Sequence, residues 1–226
     1  MAGGPRALIF DFDGVIADSE PVHLRALQRT LAEAGIVLTP EDYYAHYLGF
    51  DDHDAIVEAL RSATGAAAPT QVARLMDVKA RHFLALLGEG PRLFPGVSTF
   101  VRAAAARVPL AIVSGALRRE IELILVRAGL ADAFTAIVSA EDVRAGKPSP
   151  EGFLTALARL RERVPDLTPR SCLVIEDSLP GVEAARQAGM RCLAVTNSHA
   201  AEELRGAGLV VASLEEVGWD QLASLF

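Results

Sequence analysis

Four apolar stretches of the sequence are followed by polar side chains that could do chemistry. The first stretch, Ala7–Phe10, leads into Asp11, and Asp13 lies two residues further on. The other side chains of this kind follow later apolar stretches, directly or within the next loop: Ser114, Lys147, Glu176 and Asp177. Ligands of open parallel sheets bind beyond the carboxyl ends of the strands. If these stretches are neighbouring strands, the six side chains converge on one site.

This set of side chains suits the transfer of a phosphoryl group. Carboxylates crowded at one sheet edge repel one another, and a cation with hard oxygen ligands, typically Mg²⁺, relieves the repulsion. The cation would also withdraw charge from a phosphate oxygen. An aspartate nucleophile, for which Asp11 is the candidate, divides the reaction into capture and hydrolysis. Asp13 has the spacing of an acid that protonates the leaving oxygen and then activates water.

Two further side chains suit phosphate binding, although each motif alone also has a structural explanation. Ser114 could donate a hydrogen bond to the phosphate, and Lys147 could neutralise both the phosphate and the nucleophile. A D-x-D-G sequence is also a common turn, and a lysine before proline is usually a solvated surface residue. Glu176-Asp177-Ser178 also fits a helix N-cap. The prediction therefore depends on the four motifs together.

Strands and helices alternate along most of the sequence. Short apolar stretches typical of buried parallel strands run from Ala7 to Phe10, Leu110 to Val113, Ala136 to Val138, Cys172 to Ile175, Cys192 to Val195 and Leu209 to Val211. Helical patterns lie between them. The alternation predicts βαβ units, and so an α/β fold with a Rossmann-like parallel sheet.

One interval interrupts the alternation and predicts an inserted helical domain. From Ser19 to about Leu93 there is no stretch typical of a buried strand, but there are four helical patterns. The first has an apolar stripe of Leu24, Leu27 and Leu31. We predict a four-helix cap domain at residues 18–93 and a catalytic core at residues 1–17 and 94–226.

The motifs, in their order along the chain, resemble the four signatures of the haloacid dehalogenase-like hydrolase superfamily. The matching segments run from Asp11 to Glu20, Ile112 to Gly115, Gly146 to Pro150, and Val174 to Gly181. The resemblance covers most of the chain. It implies a Rossmann-like core with a small helical cap after the first motif, in agreement with the alternation of elements.

The resemblance assigns the nucleophile and the metal ligands. Asp11 becomes the nucleophile and a ligand of Mg²⁺. Asp13 becomes the acid/base and binds the metal through its backbone carbonyl. Asp177 becomes a further ligand, with Glu176 beside it. Dehalogenating members lack an acid at the place of Asp13, so the resemblance disfavours carbon–halogen cleavage.

The resemblance also places substrate-binding residues in both domains. In the core, Ser114, Gly115 and Lys147 would bind the phosphate. In the cap, His23 has the offset from Asp11 at which the β-phosphoglucomutase-like branch uses a histidine to couple cap closure to acid/base readiness. The cap loop from Gly49 to His53 screens substrates in this cap type, which makes Asp52 a candidate specificity residue, although it could instead cap the following helix.

The cap loop departs from the mutase branch, which carries Lys just before this glycine and Arg just after it to hold a second phosphate. Here Leu48 takes the place of the Lys, and no Arg follows through His53. We therefore predict Mg²⁺-dependent hydrolysis of a small organic phosphate monoester through an aspartyl-phosphate. The alternatives are a sugar-phosphate mutase and, more remotely, a catalytically silent binding protein.

Composition and charge narrow the class of protein further. The 226 residues are 51% hydrophobic and 23% charged, with a net charge of −7. An acidic surface disfavours nucleic acid or an anionic membrane as partner, and no apolar stretch approaches the roughly 20 residues that span a bilayer. Cys172 and Cys192 match no metal or disulfide pattern, which predicts free buried thiols in a cytoplasmic protein. We expect a monomer that acts on a small phosphorylated metabolite.

Overall fold

The structure, a computed structural model, describes residues 3–47, 50, 52–88 and 92–226. The chain folds as two compact units: Met1–Asp18 with Pro91–Phe226 form the core unit, and Ser19–Gly90 forms the cap unit. Gly49 and Asp51 of the predicted cap loop, and Leu48 just before it, lie outside the described residues.

The core unit is built on a parallel sheet that has six strands within the described residues. The strands are β1 (Ala7–Phe10), β2 (Leu110–Val113), β3 (Ala136–Val138), β4 (Cys172–Glu176), β5 (Arg191–Val195) and β6 (Leu209–Val211). Their order across the sheet is β3-β2-β1-β4-β5-β6. In the parallel register, Phe10 pairs with Ile112 of β2 on one side and with Ile175 of β4 on the other. The predicted α/β fold class is confirmed, and β1 lies between the two strands whose ends carry Ser114 and Asp177.

Nine α-helices occur in the described part of the chain. The cap unit contains α1 (Glu20–Ala32), α2 (Pro40–His46), α3 (Asp52–Thr64) and α4 (Pro69–Leu87), and the core unit contains α5 (Val97–Ala105), α6 (Arg118–Ala128), α7 (Glu151–Leu160), α8 (Leu179–Gln187) and α9 (Trp219–Ser224). Short 3-10 helices lie at Ala131–Ala133, Ala140–Asp142, Pro169–Ser171 and Leu214–Glu216.

Helices cover both faces of the sheet at β1, which explains why this strand is apolar throughout. All four of its residues are fully buried, as expected for a central parallel strand. Ala7 and Ile9 pack in a cluster with Phe153 of α7. Phe10 points to the opposite face, where its ring meets that of Phe100 of α5 edge-on with centroids 6.1 Å apart.

The cap unit has its own apolar core. The predicted stripe of Leu24, Leu27 and Leu31 on α1 is buried and packs with Ile56 of α3 and Leu75 of α4, among others. This confirms that the first helix of the insert is amphipathic.

Two helices of the core unit have clear limits. α7 ends at Leu160, its last fully buried residue, where a turn begins. α8 begins at Leu179, because the side chain of Ser178 accepts a hydrogen bond from the Gly181 N–H (3.2 Å) and caps the helix. The short α9 was not predicted.

Two further expectations concern the thiols and the membrane. Cys172 and Cys192 are both buried and free, as predicted. No helix within the described ranges is long and apolar enough to cross a membrane.

Candidate active site

Asp11 follows β1 directly and lies at the middle of the sheet edge. Its backbone N–H donates to the carbonyl of Ile175 (2.8 Å), which continues the pairing of β1 with β4 by one residue. The residue is 8% exposed, and Nζ of Lys147 donates to its Oδ1 at 2.6 Å. The fold therefore brings the predicted nucleophile into contact with a lysine that lies 136 positions later in the sequence.

Lys147 bridges two carboxylates, because its Nζ also donates to Oε1 of Glu176 at 2.5 Å. Glu176 is fully buried. Burial by itself would lower the pKa of Lys147, but the charges of Asp11 and Glu176, together with the two hydrogen bonds, hold that pKa above its usual value. The side chain is therefore a permanent ammonium at neutral pH.

The second carboxylate oxygen of Glu176 is held by the start of the next helix. Its Oε2 accepts hydrogen bonds from the Asp177 N–H (3.0 Å), the Ser178 N–H (3.1 Å) and the Ser178 hydroxyl (2.9 Å). The Glu176 side chain packs directly against Gly181: a Cβ added at Gly181 would lie 1.9 Å from Cδ of Glu176. Glu176 is therefore fixed from both ends, by Lys147 and by the N-terminus of α8.

Gly181→Ala is expected to destabilise the core unit and to displace Glu176. The backbone of Gly181 does not lie in the left-handed region, so the effect is steric. We expect the free energy of unfolding to fall by about 1–3 kcal/mol, as is typical of overpacking, in urea denaturation. Gly115→Ala is the matched control, because no atom lies within 4 Å of the position of its Cβ. Equal losses in the two variants would contradict the steric explanation.

Asp11, Glu176 and Asp177 form a group that could hold a metal ion. One carboxylate oxygen of each lies within 4.8 Å of those of the other two, and all three residues are buried. Burial raises the pKa of Asp11 well above its usual value, which the charge of Lys147 offsets only in part. Burial likewise raises the pKa of Asp177 to about 6, against a hydrogen bond from Ser198 that lowers it. A divalent cation would relieve this crowding of negative charge, and hard oxygen donors fit Mg²⁺.

Asp13 and Ser114, from the loops after β1 and β2, are in contact. The Ser114 hydroxyl donates to Oδ2 of Asp13 at 3.2 Å and accepts from the Ala116 N–H at 2.9 Å. Ser114 is 5% exposed, whereas the neighbouring Gly115 is exposed. The predicted acid/base and the predicted phosphate-binding serine are therefore neighbours.

In the cap unit, His23 and Asp52 belong to one cluster around Lys79. Lys79 is only 2% exposed, and its Nζ lies 2.8 Å from Nδ1 of His23 and 2.5 Å from Oδ1 of Asp52. The rings of His23 and Phe83 stack at a tilt, with centroids 4.3 Å apart. Burial and the charge of Lys79 lower the pKa of His23 well below its usual value, so its imidazole is neutral and accepts a hydrogen bond from the ammonium.

Sequence reasoning missed three residues that contact predicted site residues or the loops that carry them. Lys79 is one, and its signal is a charged residue within the apolar stripe of α4. The other two are Asn197 and Ser198, which follow β5 and contact Gly14 and Asp177. Both are polar residues that follow the fifth apolar stretch, so the rule that predicts the first four motifs also predicts them.

Comparison with known proteins finds similar proteins over most of the chain. A model of the family described as haloacid dehalogenase-like hydrolase matches residues 8–195. The chloroplastic 5-amino-6-(5-phospho-D-ribitylamino)uracil phosphatase of Arabidopsis thaliana is 34% identical over 100% of this chain, which spans 59% of that longer protein. Protein CbbY of Cereibacter sphaeroides is 31% identical over 94% of each chain. The crystal structure of CbbY from Rhodobacter sphaeroides in complex with phosphate superposes with a TM-score of 0.81, at 31% identity, over 95% of this chain and 96% of that one.

Proposed function

The chain belongs to the haloacid dehalogenase-like hydrolase family, and we propose that it is a Mg²⁺-dependent phosphatase of small organic phosphate monoesters. The observation that carries the proposal is the bridge from Lys147 to Asp11 and Glu176, beside Asp177. The names and ligands of similar proteins support it: one is called a phosphatase of a phosphorylated metabolite, and another binds phosphate in its crystal structure.

The residues proposed to hold Mg²⁺ are Asp11, Glu176 and Asp177 through their carboxylates, and Asp13 through its backbone carbonyl. The buried carboxylate oxygens of Asp11, Glu176 and Asp177 suit this ion. When bound, it would neutralise the acidic group and withdraw charge from a phosphate oxygen.

Asp11 and Asp13 would divide the chemical work between them. A carboxylate oxygen of Asp11 attacks phosphorus, the bond from phosphorus to the leaving oxygen breaks, and Asp13 gives its proton to that oxygen. Asp13 then takes a proton from water, which attacks the phosphoaspartate, releases phosphate and restores Asp11. Lys147 orients Asp11 and stabilises the charge on the phosphoryl oxygens. The Ser114 hydroxyl donates to Asp13 in the absence of substrate and would turn to the phosphate when substrate binds.

The cap cluster supports a substrate with a single phosphate group. Oδ1 of Asp52 lies 2.5 Å from Nζ of Lys79 and so neutralises the positive charge of this lysine. The cluster is therefore poorly suited to bind a second phosphate. We keep His23 and Asp52 as predicted substrate-binding residues, and Ser114 and Gly115 as phosphate-binding ones. We also propose that the protein is a monomer in the reducing cytoplasm, where both cysteines stay free.

Phosphate release from a panel of phosphate monoesters tests the proposal. We expect release with Mg²⁺, loss of release after chelation, and recovery when Mg²⁺ is restored. Incubation with glucose 1-phosphate, with and without a bisphosphate activator, distinguishes a mutase from a phosphatase. Isomerised product without free phosphate would contradict the phosphatase proposal. If no ester in a broad panel released phosphate, a catalytically silent binding protein would be the better explanation.

A further inference from the structure

The turn that follows β5 reaches two loops of the site at once. Nδ2 of Asn197 donates to the carbonyl of Gly14 at 2.7 Å, in the loop after β1. The hydroxyl of the next residue, Ser198, donates to Oδ2 of Asp177, in the loop after β4. Two consecutive side chains therefore contact the loops that carry Asp13 and Asp177.

These two loops are already in close contact with each other. Gly14 has a φ of +81°, and a Cβ at this position would lie 1.9 Å from Oδ2 of Asp177. This is the oxygen that accepts the hydrogen bond from Ser198. A small movement of either loop would therefore change the distance between the backbone of the first motif and the carboxylate of the fourth.

The turn that carries the two side chains is anchored to the sheet. The N–H of Thr196 donates to the carbonyl of Val211 at 3.0 Å, and Val195 pairs with Val211 in the parallel register of β5 and β6. Asn197 and Ser198 themselves are exposed, but Asp177 is only 3% exposed. The Ser198 hydroxyl, held on an anchored turn, thus donates to the buried carboxylate of Asp177.

We propose that Asn197 and Ser198 are positioning residues that hold Gly14 and the Asp177 carboxylate in the arrangement that binds Mg²⁺. The proposal rests on the proposed function, since it assumes that Asp177 is a metal ligand. Partners that orient ligand side chains typically change metal affinity about 10–100-fold when they are removed. Ser198 acts on the carboxylate directly, and Asn197 acts through the loop that also carries Asp13.

Ser198→Ala tests the direct contact. We expect the Mg²⁺ dissociation constant, measured by isothermal titration calorimetry on the metal-free protein, to rise about tenfold. The Mg²⁺ concentration for half-maximal activity should rise by the same factor, whereas kcat at saturating Mg²⁺ should change little. Ser198→Thr keeps the hydroxyl and should restore most of the affinity, which a role in packing alone would not predict.

Asn197→Ala tests the second contact, and Ser62→Ala is the matched control. Ser62 is an exposed serine of α3 in the cap unit, and its hydroxyl also donates to a carboxylate, Oε1 of Glu58 at 2.9 Å. We expect weaker Mg²⁺ binding in Asn197→Ala and unchanged binding in Ser62→Ala.

The outcomes separate this inference from the function on which it rests. If wild-type protein binds Mg²⁺ and Ser198→Ala binds it equally well, the positioning role is wrong while the phosphatase proposal stands. If Ser198→Ala only lowers the thermal unfolding midpoint of the metal-free protein, the contact serves the fold alone and the inference is likewise overturned. If the wild type binds no Mg²⁺, both proposals fail.

Discussion

Asp11→Asn is expected to abolish phosphate release, with kcat/KM reduced by about 10⁴-fold or more. An amide nitrogen or oxygen at this position cannot form the acyl phosphate on which the proposed mechanism depends. The substitution is nearly isosteric, and the backbone N–H of residue 11 would still pair with Ile175. Phosphate release with Mg²⁺ measures the effect, and acid-quenched reactions should show no phosphorylated enzyme in the variant.

Asp166→Asn is the control for this experiment. Asp166 is an exposed aspartate of the core unit whose carboxylate pairs with Arg6 at 2.7 Å, so full activity is expected. Circular dichroism should show that both variants keep the fold. Substantial phosphate release by Asp11→Asn, well above a mock preparation, would mean that Asp11 is not the nucleophile.

The elements of the site could be predicted because parallel strands impose a simple rule. Their carboxyl ends share one edge of the sheet, so polar residues placed directly after apolar runs had to gather there. This reasoning gave six candidates: Asp11, Asp13, Ser114, Lys147, Glu176 and Asp177. It could not give the order of the strands. That β1 lies between β2 and β4 follows from how the sheet packs in three dimensions, and no local pattern encodes it.

Lys147 is also among the predicted residues, although a lysine before a proline, taken alone, usually has a solvated side chain. It lies in the loop after β3, separated from β1 by β2. The contact with Asp11 depends on the path of that loop. Part of the path is fixed by Glu151, whose two carboxylate oxygens accept from the N–H groups of Arg144 and Ala145 at 3.1 Å each. Such contacts between loop and helix have no periodic signal in the sequence.

Lys79, unlike Lys147, was not predicted. A lysine in an amphipathic helix normally belongs to the solvated face, and the place of Lys79 within the apolar stripe of α4 is its signal of burial in the sequence. Its burial arises because α1 contributes His23 and α3 contributes Asp52 as hydrogen-bonding partners around α4. A buried charge of this kind becomes acceptable only once its partners are in place, so it follows from the tertiary structure.

Lys147→Met is expected to destabilise the metal-free protein by about 3–5 kcal/mol, in addition to reducing activity. Removing one partner of a buried ion pair leaves the other charge uncompensated. Here two carboxylates, those of Asp11 and Glu176, would lose their shared ammonium while Asp177 remains nearby. The free energy of unfolding of wild type and variant, measured in urea with and without Mg²⁺, gives the size of the effect.

Added Mg²⁺ and a second substitution show whether the destabilisation of Lys147→Met comes from lost charge compensation. Because the acidic group of Lys147→Met is more negative, Mg²⁺ should stabilise the variant more than the wild type. Adding Glu176→Gln to Lys147→Met removes one of the two orphaned charges and should recover part of the lost stability, although Glu176→Gln alone is destabilising. Glu176→Gln would thus lower the free energy of unfolding of the wild type but raise that of Lys147→Met. This change of sign is the coupling expected of a buried ion pair. Additive losses in the double variant would instead mean that Lys147 stabilises the fold through packing alone.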